Sequence, residues 1–309
     1  MAREWTEKDI PDQKGKVVIV TGGNGGIGYE AALVLAGRNA RVILAVRSME
    51  KGEQAAQIIR QRSPEAEVKV MALDLADLKS ARGFAAAFLA SYDRLDVLIN
   101  NAGVMALPQV QTADGFEMQF GTNHLGHFAL TGRLLPALKA TPHARVVTVS
   151  SGVHTSGDIH FDDLQWKKKY DRWGAYAQSK LANLLFAYEL QRRLAASDIS
   201  AISVGCHPGY AATNLQFAGP QMEGSIIKQW MMRAGNFLFA QSQEMGALPI
   251  LFAATAPQVN GCDYIGPVGT GGMRGYPDKA MSNDKSYDEA LAKRLWVVSE
   301  ELTGVVYKF

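Results

Sequence analysis

The sequence predicts an α/β fold, read as a single doubly wound domain over residues 1–309 with a seven-stranded parallel sheet and helices on both faces. Three observations carry that reading. Apolar runs of strand length alternate with helical patterns along the chain. Several of the strand candidates are continuous apolar runs, as expected where a sheet is buried on both faces. The first run leads straight through a glycine-rich turn into a helix, and no Pro/Gly/Ser-rich linker or repeat divides the chain.

The elements follow in order. Val17-Val18-Ile19-Val20 opens strand 17–21, and Tyr29-Glu30-Ala31-Ala32-Leu33-Val34-Leu35-Ala36 lies in a helix over 27–37. Further apolar runs place strands at 41–46, 68–73, 97–100, 145–150, 200–206 and 263–265. Helical patterns between and after them fall at 51–61, 78–90, 116–140, 175–196, 244–254 and 287–302. Parallel neighbours joined through helices imply right-handed crossovers. Two segments break the alternation, 152–174 and 210–241. Both start at the carboxyl end of a strand, where open α/β sheets bind ligands. The second is rich in Met, Phe and Trp and is expected to cover a substrate, with Phe217, Met222, Ile226, Ile227, Trp230 and Met231 supplying an apolar surface.

Bulk properties narrow the function. Hydrophobic content of 47% and charged content of 20% fit a globular protein with a sizeable core. A net charge of +2 gives no footprint for nucleic acid, and Lys167-Lys168-Lys169 reads as a solvated loop. Cys206 and Cys262 lie far apart without metal-ligand spacing and read as free thiols of a reducing compartment. His124 and His127 lack a third ligand, so no metal site is expected. The polar N-terminus has no signal-peptide core, and charges and amides interrupt the apolar region 226–254, so no membrane span is expected.

The chemistry begins at Thr21-Gly22-Gly23-Asn24-Gly25-Gly26-Ile27-Gly28. A diphosphate must approach backbone closely, and a Cβ would block it. The helix behind the turn offers free N–H groups and a partial positive charge. The turn therefore reads as a Rossmann-type dinucleotide site, with a first gap one residue longer than the usual fingerprint. Tyr176-Ala177-Gln178-Ser179-Lys180 puts a phenol and an ammonium on one helix face. A nearby ammonium favours phenolate, which tunes the phenol toward proton exchange with a carbonyl or alcohol oxygen near neutral pH. Val149-Ser150-Ser151 places a hydroxyl at a strand end, where it can bond a substrate oxygen. Asn100-Asn101-Ala102-Gly103 ends another strand. Asn123 is an amide in a helical segment, suited to binding water or backbone.

Thr21-Gly22-x-x-x-Gly26-Ile27-Gly28, Asn100-Asn101-Ala102-Gly103, Asn123, Ser151, Tyr176-x-x-x-Lys180 and His207-Pro208-Gly209 together resemble the short-chain dehydrogenase/reductase family over roughly residues 15–270. Arg47-Ser48-x-x-Lys51-Gly52, Asn123-His124-Leu125-Gly126-His127-Phe128 and Ser179-Lys180-Leu181-Ala182-Asn183 resemble its retinol dehydrogenase and WW-domain oxidoreductase branch. The resemblance implies Tyr176 as general acid/base and Lys180 as the group that lowers its pKa and binds the nicotinamide ribose. It implies Ser151 as the residue orienting the carbonyl, and Asn123 as holder of a water in the proton relay. It assigns the cofactor to Gly22, Asn24, Gly26, Ile27 and Gly28, with Asp74 and Leu75 by the adenine. Asn101, Ala102 and Gly103 would line the adenosine side, and Pro208, Gly209 and Thr213 the nicotinamide side, with Tyr176 and Lys180 shared.

After the second strand stand Val46, Arg47 and Ser48 rather than an acid. An acid there would bond a ribose 2′-hydroxyl, whereas an arginine fork pairs a 2′-phosphate and Ser48 adds a donor. The expected cofactor is NADP(H). The insertion 152–174 separates Ser151 from Tyr176 more than in the plainest family members, as the retinol dehydrogenase branch tolerates. Many of that branch carry an N-terminal membrane anchor. This chain begins almost at its first strand, which argues for a soluble cytoplasmic enzyme and against a retinoid substrate. The expectation is an NADPH-dependent reductase of a hydrophobic aldehyde or ketone, working also in reverse. Reduction of an activated C=C bond and a non-catalytic NADP(H)-binding regulator are the alternatives. A homo-oligomer and a monomer covered by the apolar C-terminal region are both compatible with the sequence.

Overall fold

The computed structural model describes residues 4–210 and 241–309, and one sheet runs through them. Its strands are β1 (Val17–Thr21), β2 (Arg41–Val46), β3 (Val68–Ala72), β4 (Val97–Asn100), β5 (Arg145–Val149), β6 (Ile202–Cys206), β7 (Tyr264–Gly269) and β8 (Arg274–Ala280). They lie in the order β3-β2-β1-β4-β5-β6-β7-β8. Neighbours from β3 to β7 pair in parallel. The order reverses between β1 and β4, and a crevice opens there at the carboxyl ends. The substrate-covering surface expected of 210–241, with Thr213, falls almost wholly outside the described residues.

The sheet has one strand more than the sequence predicts. β8 runs antiparallel to β7, with Tyr264 opposite Ala280 and Pro267 opposite Pro277. Its residues, Arg274-Gly275-Tyr276-Pro277-Asp278-Lys279-Ala280, form no apolar run. A proline is tolerated at a sheet edge, so this strand is held by its position rather than by its own pattern.

The helices are α1 (Gly26–Gly37), α2 (Met49–Arg62), α3 (Leu78–Ser91), α4 (Met118–Phe120), α5 (Gly126–Ala140), α6 (Arg172–Ala196), α7 (Gln243–Thr255) and α8 (Glu289–Thr303). Side chains of Ser48, Asp77, Asp171, Ser242 and Asp288 accept first-turn N–H groups and start α2, α3, α6, α7 and α8. The helix expected over 116–140 is not continuous. A π-helical turn, Gly121–Leu125, separates α4 from α5. Gly121 and Gly126 allow the close approach that this path needs, the first against Thr112 and the second against the Leu75 carbonyl. Such widened turns gather at functional sites, and this one carries Asn123.

Strand periodicity sorts the core. Val18, Val20, Val42 and Leu44 face Leu35 of α1 and Ile250 of α7. Ile19, Ile43, Leu98 and Val146 face Phe88 of α3, Phe128 of α5 and Trp296 of α8. Each fully buried Ile or Leu contributes about 1.5–3 kcal/mol, so the strand ends are held on a stiff platform. Cys206 and Cys262 are free, and Lys167, Lys168 and Lys169 are exposed. Among the described residues no helix is long and apolar enough to cross a membrane.

Candidate active site

The turn after β1 shows why its glycines differ. Gly22 (φ 66°) and Gly26 (φ 59°) adopt left-handed backbone that a side chain would strain. A Cβ on Gly22 would lie 3.1 Å from Ala102 Cβ. One on Gly28 would meet the Asn101 amide and come within 2.9 Å of the Gly22 carbonyl oxygen. These glycines let the turn pack on the loop after β4. Gly25 is different, because a Cβ there meets no described atom within 4 Å. It begins α1 without a side-chain cap, and the first turn has no acid. The free N–H groups and the helix dipole therefore face open space, an arrangement fitted to an anion.

That space is a cleft of about 620 Å³. Its wall includes Gly22, Asn24, Gly26, Ile27, Gly28, Asn101, Ala102, Gly103, Ser151, Tyr176, Lys180, Pro208 and Gly209 from the set marked in the sequence. Arg47, Ser48, Asp74, Leu75 and Asn123 are not on the wall. Arg47 is exposed at the end of β2, and Ser48 caps α2, accepting from Lys51 N–H at 3.3 Å. Lys51 does reach the cleft. Asp74 holds its own loop, accepting from Ala76 N–H at 2.9 Å, and Leu75 is buried in the core.

Thr21 frames the site. Its hydroxyl oxygen accepts the N–H groups of Asn101 and Ala102, each at 2.9 Å, and lies 3.0 Å from His127 Nε2. The other ring nitrogen of His127 lies 2.9 Å from the Asn123 carbonyl oxygen. A carbonyl only accepts, so Nδ1 carries the proton and Nε2 is left to accept; the one proton of the Thr21 hydroxyl has two acceptors in reach, Nε2 at 3.0 Å and Ile99 C=O at 3.2 Å. Burial pulls His127 down to about 4, which keeps it neutral. The Asn123 side chain bonds Val104 N–H at 2.8 Å, Val104 C=O at 2.9 Å and Ser179 Oγ at 2.9 Å. It thus binds backbone, one of the two roles that an amide in a helix suggests.

The insertion 152–174 does not separate the chemical groups. Tyr176 is buried in the first turns of α6, and the nearby Ser151 hydroxyl favours the ionised form of its phenol. Lys180 Nζ lies 5.8 Å from the centre of the Tyr176 ring and donates to Val149 C=O at 3.1 Å. Burial pushes the phenol up to about 12, against the opposite influence of Ser151. Desolvation therefore dominates, so the phenol lies above its ordinary value rather than below it as the sequence suggests, and Nζ is engaged by Val149. Burial likewise pulls Lys180 down to about 8. Met105, Val153, Trp173 and Tyr210 also line the wall, and Trp173 stands edge-on to Tyr176 at 6.2 Å. Sequence reasoning gave Met105, Val153 and Trp173 no role. They lie in loops or a helix start without periodicity, and only adjacency to Gly103, Ser151 and Tyr176 marks them.

A dinucleotide fits these residues: the uncapped helix start suits its diphosphate, and the Asn101 Oδ1 atom is buried without a partner beside the turn. The comparisons agree. A family model described as short chain dehydrogenase matches residues 16–223. Retinol dehydrogenase 13 of Homo sapiens is 45% identical over 293 residues, covering 94% of this chain and 85% of that one. Retinol dehydrogenase 11 of Homo sapiens is 44% identical over 291 residues, covering 94% and 86%. The crystal structure of an uncharacterised protein from Mycobacterium Paratuberculosis superposes with a TM-score of 0.81 at 40% identity, covering 99% and 100%. A protein from Escherichia coli CFT073 described as a short chain dehydrogenase complexed with NADPH gives 0.59 at 25% identity, covering 79% and 92%. With its glycine turn, its Ser151–Tyr176–Lys180 cluster and these likenesses, the chain belongs to the short chain dehydrogenase family, on the branch of its retinol dehydrogenase relatives.

Proposed function

We propose that this dehydrogenase is an NADP(H)-dependent carbonyl reductase that interconverts a hydrophobic aldehyde or ketone with its alcohol. The observation that carries the reaction is the Ser151–Tyr176–Lys180 cluster, with Tyr176 and Lys180 buried, on the wall of a cleft that an uncapped helix start also lines. A phenol pushed up to about 12 is neutral at pH 7 and ready to give its proton. Ser151 donates a hydrogen bond to the substrate carbonyl oxygen and polarises it. A nicotinamide held in this cleft would supply the hydride. As negative charge develops on that oxygen, Tyr176 passes it the phenol proton, and the product leaves as an alcohol. Lys180, still largely cationic near pH 7, stabilises the phenolate that remains.

The phosphate preference rests on Arg47 and Ser48 at the end of β2, with Lys51 reaching the cleft from the first turn of α2. The apolar preference rests on Met105, Val153, Trp173 and Tyr210 around Tyr176. We read the chain as one domain, 1–309; Tyr210 lines the cleft, and Gln241 N–H donates to its C=O at 2.8 Å. Free Cys206 and Cys262 fit a reducing, cytoplasmic setting.

The test is oxidation of NADPH and of NADH with a mixed panel of aldehydes and ketones, retinal included, for wild type and Tyr176→Phe. Turnover with NADPH, alcohol as product and its near-complete loss in the Phe variant are expected. Preference for NADH, a saturated carbonyl as product, equal turnover of small polar and large apolar carbonyls, or an active Phe variant would each contradict this reading.

A further inference from the structure

We infer that His154 is a positioning residue for Ser151: its imidazole, protonated on Nδ1, clamps the Ser151 carbonyl and so fixes the hydroxyl that meets the substrate oxygen. The inference deepens the reaction proposed above and rests on it for the meaning of the Ser151 hydroxyl. The Ser151 carbonyl oxygen receives His154 Nδ1 at 2.6 Å and the His154 backbone N–H at 3.0 Å. His154 Nε2 faces the Asn283 backbone N–H at 3.2 Å. A carbonyl can only accept and a backbone N–H can only donate, so the two partners select one neutral tautomer. The ring is 2% exposed, and burial holds it below its ordinary range, against protonation.

The clamp acts on a hydroxyl with one role already assigned. Ser151 Oγ accepts Val153 N–H at 3.4 Å as cap of the short turn Gly152–Ser156. That bond occupies a lone pair and leaves the O–H to donate outward. Holding the same residue by its carbonyl fixes the direction of that donor. The clamp is itself braced. Asn283 Nδ2 donates to the His154 carbonyl at 3.3 Å, and Ser286 Oγ holds the Asn283 carbonyl at 2.6 Å. Ser282 Oγ lies 2.9 Å from the hydroxyl of Tyr188 on α6, the helix that carries Tyr176 and Lys180. The ring of His154 also stands edge-on to Tyr264 at 5.5 Å. Ser151 is thereby referenced to α6 through the C-terminal segment and not only through its own strand.

Two amide substitutions separate the ring nitrogens. An asparagine amide reaches the position of Nδ1 and can still donate to Ser151 C=O. A glutamine amide reaches that of Nε2 and can still accept from Asn283 N–H. His154→Gln should lower kcat about 10- to 100-fold, with KM for NADPH unchanged, because a small misplacement of the donor is costly. His154→Asn should restore kcat to within about threefold of wild type. Equal losses in both variants, or no loss in either, would overturn the inference. The tautomer is read without turnover by ¹⁵N NMR of histidine-labelled wild type, with His154→Asn identifying the signal. Protonated Nδ1 with unprotonated Nε2 at neutral pH is expected, and the reverse tautomer or an imidazolium overturns the clamp. A wild type inactive on the whole carbonyl panel would count against the proposed reaction, while the tautomer decides the clamp by itself.

Discussion

Gly25→Ala and Gly28→Ala add the same methyl group to the same turn, and the structure gives them opposite consequences. At Gly28 the new Cβ comes within 2.9 Å of the Gly22 carbonyl oxygen, a backbone atom that cannot rotate away, and meets the Asn101 amide. That amide donates to Thr21 C=O at 2.8 Å and would have to leave it. Overpacking costs about 1–3 kcal/mol and the lost hydrogen bond about 0.5–1.5 kcal/mol, together about 2–4 kcal/mol. At about 2 °C per kcal/mol for a chain of this size, Tm should fall by about 4–8 °C. At Gly25 the Cβ meets no described atom within 4 Å, and the backbone, with φ −173° and ψ 166°, is extended and open to any residue. Replacing a glycine N-cap with alanine costs about 1 kcal/mol or less, so Tm should move by no more than about 2 °C. Yet the methyl enters the space above the free N–H groups of α1, where the diphosphate is proposed to sit. Losing one charge-assisted bond of about 1.5–3 kcal/mol weakens Kd for NADPH about 10- to 100-fold. Fluorescence titration with NADPH and thermal unfolding of both variants make the comparison. A Gly25→Ala protein that binds NADPH like wild type at unchanged Tm would refute the placement of the diphosphate. A thermally neutral Gly28→Ala would refute the reasoning from close contact.

Lys180→Met should abolish turnover and yet stabilise the protein without cofactor, by at most about 3 kcal/mol at pH 7, because burial brings the ammonium down from 10.5 to about 8. Between those values the unfolded chain binds more protons, so wild-type stability gains as pH rises from about 8 and the advantage of the variant closes; urea melts at pH 7 and 10 measure it. Burial lowers His124 to about 3 and His127 and His207 to about 4, from 6.5, so each stays neutral when folded and takes up a proton when unfolded. Their contribution is intact above about pH 6.5 and is lost as pH falls toward 4, and His124→Phe, among Phe120, Phe128 and Phe186, should make the fall of Tm with acid shallower. Arg47→Glu should weaken NADPH at least about 10-fold and leave NADH nearly unchanged, since a carboxylate repels the 2′-phosphate and accepts a ribose hydroxyl; equal effects on both cofactors would exclude Arg47 from the phosphate site.

Much of this was legible in the residues. Val17 to Thr21 is buried on both faces, and a strand of that kind needs a continuous apolar run. Tyr176 and Lys180 sit one turn apart on α6, so their shared face follows from helix geometry. What escaped was set by distant partners. β8 owes its place to β7, not to its polar sequence. The π-helical turn at Asn123 depends on contacts of Gly121 and Gly126 with Thr112 and Leu75, which a helical period does not encode. The phenol of Tyr176 moved opposite to the expected direction because sequence spacing reports the nearby ammonium but not the burial that outweighs it.

The hydroxyl of Thr21 has a consequence for the order in which this chain can become functional. It joins residues 80 positions away at Asn101 and 106 away at His127, so the glycine turn is framed by parts made much later. At about 5–20 residues per second of synthesis, the turn waits about 5–20 s for His127 to exist. Closing such long loops is entropically costly and is repaid only when β1 pairs with β4. A nucleotide therefore finds no template in the nascent chain. It rewards the finished sheet by mass action, stabilising what has folded without guiding how it folds.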